Sequence, residues 1–166
     1  MATSRKRAAW RDYQDRAAEL FRQMGFDAAV EEIVEGARGK HEIDVVARTN
    51  LGGVPVTWIV ECKYWTSAVP KADVLTLAQI GQDIGADRAI LLSEKGFQAG
   101  AISASRKSNV LLTSLEELGS AAADGIADLS IKRSLLRVKE LENRLQIIMN
   151  DYGSATRTAP AILGRI

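Results

Sequence analysis

Val56-Thr57-Trp58-Ile59-Val60-Glu61-Cys62-Lys63-Tyr64 is the stretch on which the fold turns. Its β-branched and aromatic residues read as a strand. Side chains alternate along a strand, so Thr57, Ile59, Glu61 and Lys63 share one face. Trp58, Val60, Cys62 and Tyr64 share the other. An acid and a base therefore leave together from the end of a mostly apolar strand, and Cys62 points the opposite way, into packing.

Upstream, Asn50-Leu51-Gly52-Gly53 forms a hairpin-like turn. Before it, Ile43 to Ala47 reads as a second strand that carries Asp44 among apolar neighbours. If the two strands pair around the turn, Asp44 comes near Glu61. The turn is read as longer than a two-residue hairpin, so the spacing leaves the register open. Phe26 to Val34 is a further strand, with Gly36 and Gly39 in the loop behind it. Tyr13, Ala17, Leu20, Phe21 and Met24 fall at helical spacing and predict a first helix from about Ala9 to Met24.

Downstream, Pro70 suits the first turn of a helix reaching Ile84, where Gly85 ends it. Ala89 to Leu92 and Val110 to Leu112 are short apolar runs that read as buried strands. Phe97 to Lys107 reads as the helix between them. Thr113 or Ser114 caps a short helix through Leu118. The expected class is α/β: a β-meander, then βαβ units, in a mixed sheet with helices on both faces.

An α/β domain over 9–118 is thus followed by a small-residue linker, 119–127, a long amphipathic helix, 128–152, and a tail, 153–166. In the helix, Ile131, Ser134, Val138, Leu141, Leu145, Ile148 and Tyr152 recur at gaps of three and four. Such a stripe packs on its own domain or pairs two copies of the chain as a homodimer.

With 46% apolar residues in 166, the chain can bury a real core. The net charge of +1 gives no global nucleic-acid signature, so any attraction to DNA must come from local clustering. One cysteine and one histidine, Cys62 and His41, exclude a disulfide scaffold and a structural zinc site within one chain. The lone cysteine suits a reducing cytoplasm. No apolar run reaches the ~18–20 residues of a membrane span, and no apolar signal core follows the basic start Arg5-Lys6-Arg7.

Two carboxylates ~4 Å apart repel by about 1 kcal/mol in water and about 4 kcal/mol at an effective dielectric near 20. A site gathering Asp44 and Glu61 must raise a pKa, engage a cation or bind a divalent metal. Lys63 neutralises only one of them. Oxygen donors of this kind suit Mg²⁺ or Mn²⁺.

Ile43-Asp44-Val45, then Ile59-Val60-Glu61-Cys62-Lys63, resembles the Asp…Glu-X-Lys signature of the PD-(D/E)XK, restriction-endonuclease-like nucleases. Tyr13 to Phe21 with Gly25-Phe26 resembles the opening helix of the Mrr-like branch. Gly85 to Ser93 with Gly96-Phe97 resembles its later strand and turn, and Thr113-Ser114-Leu115 its closing element. The resemblance implies Mg²⁺ held by Asp44, Glu61 and the main-chain carbonyl of Cys62, with Lys63 beside the attacking water. Some relatives add an acid from the first helix. The pattern points to Gln14, which carries no charge, and leaves Glu19 or Asp15 as substitutes. Gln79 stands where relatives often have a polar residue facing the site.

Lys40, His41, Arg38, Arg48 and Lys71 are candidates for phosphate contacts around the cleft. Trp65 either packs on the next helix or stacks on a base. The activity expected is metal-dependent DNA endonuclease, of the Mrr-like restriction or defence type, with recognition residing on a partner subunit if the chain lacks its own reading domain. A structure-selective nuclease, such as a Holliday-junction resolvase, is the enzymatic alternative. A DNA-binding or assembly module with weak or lost catalysis is the alternative from another class.

Overall fold

The computed structural model describes residues 2–157, with side chains described over residues 7–150. The elements run α1 (Ala2–Gln23), β1 (Asp27–Glu35), β2 (Lys40–Leu51), β3 (Val54–Cys62), α2 (Lys71–Ile84), β4 (Arg88–Leu92), α3 (Ala99–Ser105), β5 (Val110–Thr113) and α4 (Leu115–Arg157). The strands form one sheet in the order β1-β2-β3-β4-β5. β1, β2 and β3 are antiparallel neighbours, while β3, β4 and β5 run parallel. This is the mixed α/β sheet expected from the meander and the βαβ units.

The two faces of the sheet carry separate cores. Tyr13, Ala17, Ala18 and Phe21 bring α1 onto Val45, Ala47, Val60, Cys62, Ile90 and Leu92, and Leu115 joins them from the start of α4. On the other face Val74 and Leu77 of α2 and Ala101 of α3 meet Ile43, Val46, Ile59, Ala89 and Leu91. The parallel strands are apolar on both faces because each face is covered.

Several boundaries differ from the periodicity. The hairpin turn spans Gly52 and Gly53 alone, at φ 59° and 92°. Both values lie in the left-handed region that a two-residue turn of this hand needs and that glycine enters freely. Asn50 and Leu51 therefore belong to β2, opposite Pro55 and Val54. The short turn fixes the register that the sequence left open, with Val45 opposite Val60. α3 is shorter than 97–107, because Phe97 forms a parallel bridge with Val69.

The helix capped by Ser114 does not stop at Leu118. Ser114 Oγ accepts the Glu117 N–H at 3.0 Å, and the Glu117 carboxylate accepts the Ser114 N–H at 3.2 Å, a capping box. From there α4 continues through the expected linker, 119–127. Ala121, Ala122, Ala123 and Ala127 favour helix, and the two glycines, at about 1 kcal/mol each, do not break it. The chain divides into compact units at Ile126/Ala127. In the second unit Ile131, Val138, Leu141, Leu145 and Ile148 are 49–61% exposed. The side chain of Tyr152 and the 158–166 part of the tail lie outside the described residues. Among the described residues no helix is long and apolar enough to cross a membrane.

The loop between β1 and β2 is pinned to the end of α2 by Asp83. Its buried carboxylate accepts Arg38 Nε at 2.6 Å and His41 Nε2 at 2.7 Å, and its carbonyl accepts the Ala37 N–H at 3.0 Å. Gly36 lies so close that a Cβ there would overlap the Asp83 carboxylate, whereas one at Gly39 would meet nothing within 4 Å. Gly36→Ala is expected to lower the thermal midpoint by roughly 2–10 °C, and Gly39→Ala to leave it within about 2 °C. The Arg38 and His41 hydrogen bonds hold Asp83 down at about 2. A depressed carboxylate stabilises the fold above its unfolded pKa and loses that contribution as pH falls through the folded value. The midpoint gap between the parent and Asp83→Asn should therefore be widest at neutral pH and close between about pH 4 and 2.

Candidate active site

The site begins where β2 leaves β3. Their pairing ends at Val45 opposite Val60. At the same place the alternation of both β1 and β2 breaks. Val45 and Ala47 face the α1 core, yet Ile43 faces the α2 core together with Val46. Ala28 and Val30 face the α1 core, yet Val34 faces the other. The breaks fall at Asp44 and at Glu31, which has φ 52°. These two residues drop out of an otherwise continuous ladder.

Freed from the ladder, Asp44 turns its side chain into the gap between strands. Its Oδ2 accepts the main-chain N–H of Cys62 at 2.7 Å. The next N–H, of Lys63, goes the other way, to the carbonyl of Leu92 at 2.8 Å. The carboxylate thus replaces the strand bond that β2 no longer supplies, as a buried amide requires. Asp44 Oδ1 accepts Gln14 Nε2 at 2.7 Å, from α1. Gln14 is fully buried, and among the described residues its Oε1 has no hydrogen-bond partner.

Glu61 follows Ile59 along β3, and Lys63 stands one step past its end. Lys63 Nζ lies 2.9 Å from Glu61 Oε1 and 3.2 Å from Asp73 Oδ1 on the first turn of α2. Glu61, Lys63, Asp73 and Thr76 line a small cavity of about 160 Å³. Burial and the negative charge of Glu61 push Asp44 up to about 6. Burial alone would lower Lys63, but its hydrogen bonds to Glu61 and Asp73 outweigh that and hold it above the ordinary lysine value. Lys63 therefore stays a cation at neutral pH. Burial raises the Cys62 thiol well above its usual range, so it is a packing group.

The structure gathers Asp44, Glu61 and Lys63, with Gln14 behind Asp44. The other candidates stand elsewhere. Glu19 and Asp15 are exposed on the far side of α1, and Glu19 pairs with Arg22 at 3.6 Å. Five residues from Gln14 to Glu19 turn a helix by about 140°, which carries Glu19 off the buried face. Gln79 lines a different cavity, with Arg38, His41 and Asp83. His41 and Arg38 are engaged by Asp83 rather than by Asp44. Arg48 forms a two-bond pair with Glu32, at 2.6 and 2.8 Å, opposite Thr57 and four positions along β2 from Asp44. Lys40 and Lys71 are exposed. Trp65 is 42% exposed, with its ring centroid 5.0 Å from Lys63 Nζ. The side chains of Arg5 and Lys6 lie outside the described residues.

Asp73 is the site residue that the sequence did not single out. Its only signal was an acid three residues after the helix-starting Pro70. Among the described residues, no three His, Cys, Asp or Glu side chains stand close enough together to hold a metal ion. The donors near Asp44 are nonetheless all oxygens: two carboxylates that repel each other, and the orphaned Gln14 Oε1 on the amide beside them. That set fits a hard divalent cation.

Three solved structures match the chain in part. A protein described as of unknown function, AF1548, matches with a TM-score of 0.52 and 22% identity over 61% of this chain. The modification-dependent restriction endonuclease AspBHI matches with 0.44 and 15% over 69%. The MspJI restriction endonuclease, solved with a 27-mer oligonucleotide, matches with 0.41 and 17% over 70%. The chain spans 57% of the first of these and 30% of each of the other two. At 22% identity the likeness to the first concerns the fold alone. No curated protein matches the chain. The Mrr catalytic-domain model, described as restriction endonuclease, matches residues 5–122, and on that match the chain belongs to the Mrr catalytic-domain family of restriction endonucleases.

Proposed function

We propose that the protein is a Mg²⁺- or Mn²⁺-dependent endonuclease that hydrolyses DNA phosphodiester bonds in restriction or defence. The observation carrying this reading is the convergence of Asp44 and Glu61 at the splayed end of β2 and β3, with the charge of Lys63 beside them. Asp44, Glu61 and the main-chain carbonyl of Cys62 would hold the cation. Once bound, such an ion supplies charge neutralisation at the phosphodiester and a more acidic water.

The chain's own groups do the remaining work. Lys63, protonated and steered by Glu61 and Asp73, donates hydrogen bonds. It positions the attacking water and offsets the charge that builds on the phosphate oxygens. It is not a general base, since its pKa is raised. Gln14 donates to Asp44 and so keeps one of its oxygens oriented.

The second unit adds a partner. We infer a symmetric homodimer through residues 128–152, because the exposed apolar stripe recurs at coiled-coil spacing.

Lys63→Ala is expected to reduce plasmid nicking in Mg²⁺ by at least about a hundredfold, and a chelator should abolish it. Undiminished nicking in either case would refute the assignment. Protonation of Asp44 competes with the cation, so the rate should fall as pH drops through about 6. Raising Mg²⁺ should move that midpoint to lower pH, and a midpoint indifferent to Mg²⁺ would count against Asp44 as a ligand. Leu141→Glu should shift the sedimentation coefficient from dimer to monomer; a monomeric parent chain would dismiss the dimer.

A further inference from the structure

A second cleft opens beside Lys63, and phosphodiester hydrolysis does not explain it. It measures about 760 Å³, and its lining includes Arg7 and Trp10 of α1, Lys63, Tyr64 and Trp65, and Glu94 and Lys95 after β4. Tyr64 is 51% exposed and Trp65 42%. Large aromatic side chains left open to water mark a surface with a ligand of its own. The wall is also braced. Tyr64 rests on Tyr13 with ring centroids 5.6 Å apart. Tyr13 is fixed in turn by its 2.8 Å hydrogen bond to Glu94 Oε1, which also accepts the N–H of Leu115 at 2.9 Å. Glu94 also lines the cleft, so one carboxylate faces Arg7, Lys63 and Lys95; with Lys63 shared with Glu61 and Asp73, Arg7 and Lys95 are the cations that outnumber it.

Flat aromatic faces beside cations fit a ligand with a flat π surface and negative charge. A nucleotide has both. Lys63 lines both this cleft and the cavity of Glu61 and Asp73, so the two adjoin at the catalytic lysine. A base inside a duplex has both faces covered by its neighbours and cannot lie on Trp10 or Trp65. A base that is unpaired or turned out of the helix can.

We propose that this cleft holds an unpaired nucleotide next to the scissile phosphate, so that the preferred substrate is DNA with a single-stranded, bulged or branched position at the cut. The proposal rests on the nuclease reading for its substrate, but the binding site can be tested apart from cleavage. Trp10 is the residue to change, because Trp65 also touches Lys63.

The full chain is titrated, with chelator present, with a labelled single-stranded 20-mer, its duplex, and the duplex carrying one bulged base. Anisotropy and tryptophan quenching are followed, and the same DNAs are then offered with Mg²⁺. Single-stranded and bulged DNA should bind about tenfold tighter than duplex and quench tryptophan emission. Trp10→Ala should lose that roughly tenfold margin, the size expected for one stacked base, and Trp10→Phe should keep most of it. Lys95→Glu, at an exposed position, provides a second variant if Trp10→Ala melts early, and should also weaken binding of the unpaired strand. Equal binding of all three DNAs, or variants that bind like the parent, would overturn the cleft while leaving cleavage intact. Trp10-dependent binding with no cleavage in Mg²⁺ or Mn²⁺ would uphold the cleft and refute the nuclease.

Discussion

The N–H of Cys62 lies at the point where β2 turns away from β3, and the Asp44 carboxylate answers it. A buried amide left without a partner costs about 1–3 kcal/mol, so something must fill that position. A side chain does so here, and it carries a charge. The same bond that closes the sheet therefore places a carboxylate at its open end, within electrostatic reach of Glu61. Burial and that neighbour lift Asp44 to about 6, so ionising it in place is costly. A cation relieves this strain, which links the sheet's local defect to the chemistry proposed for it.

The two cores hold that defect open from opposite sides. On one face, Tyr13, Ala17 and Phe21 seat α1, and Gln14 on the same helix meets Asp44. On the other, Val74 and Leu77 seat α2, whose first turn delivers Asp73 to Lys63. Lys63 is thus bracketed by carboxylates from a strand and a helix, which keeps it charged and confines its reach. The loops after β3 and β4 stand at the carboxyl ends of parallel strands, the edge of an open α/β sheet where ligands bind. The aromatic cleft lies at this edge too, built from residues just beyond β3 and β4 together with Arg7 and Trp10 of α1.

Asp83 plays a different part from the one its neighbours suggested. Arg38 and His41 had the composition of a phosphate-binding edge, yet both converge on Asp83 and close the β1–β2 loop against α2. Arg48 is likewise taken up by Glu32. Positive side chains near a cleft in the sequence can be claimed by buried or cross-strand acids, and only a three-dimensional arrangement distinguishes the two uses.

The sequence by itself determined the strands, the helices α1 and α2 that cover them, the layering and the shared face of Glu61 and Lys63. These follow from periods of two and 3.6 residues, which act over a few neighbours. It could not place Asp44, because alternation fails at that residue and the register depended on a turn of two glycines rather than four residues. Nor could it select Gln14 and Asp73 over Glu19, Asp15 and Gln79. Those choices were made by which helix face the sheet buries, through contacts between residues far apart in the chain. Local patterning carries no information about such contacts, whereas side-chain packing across the two cores decides them.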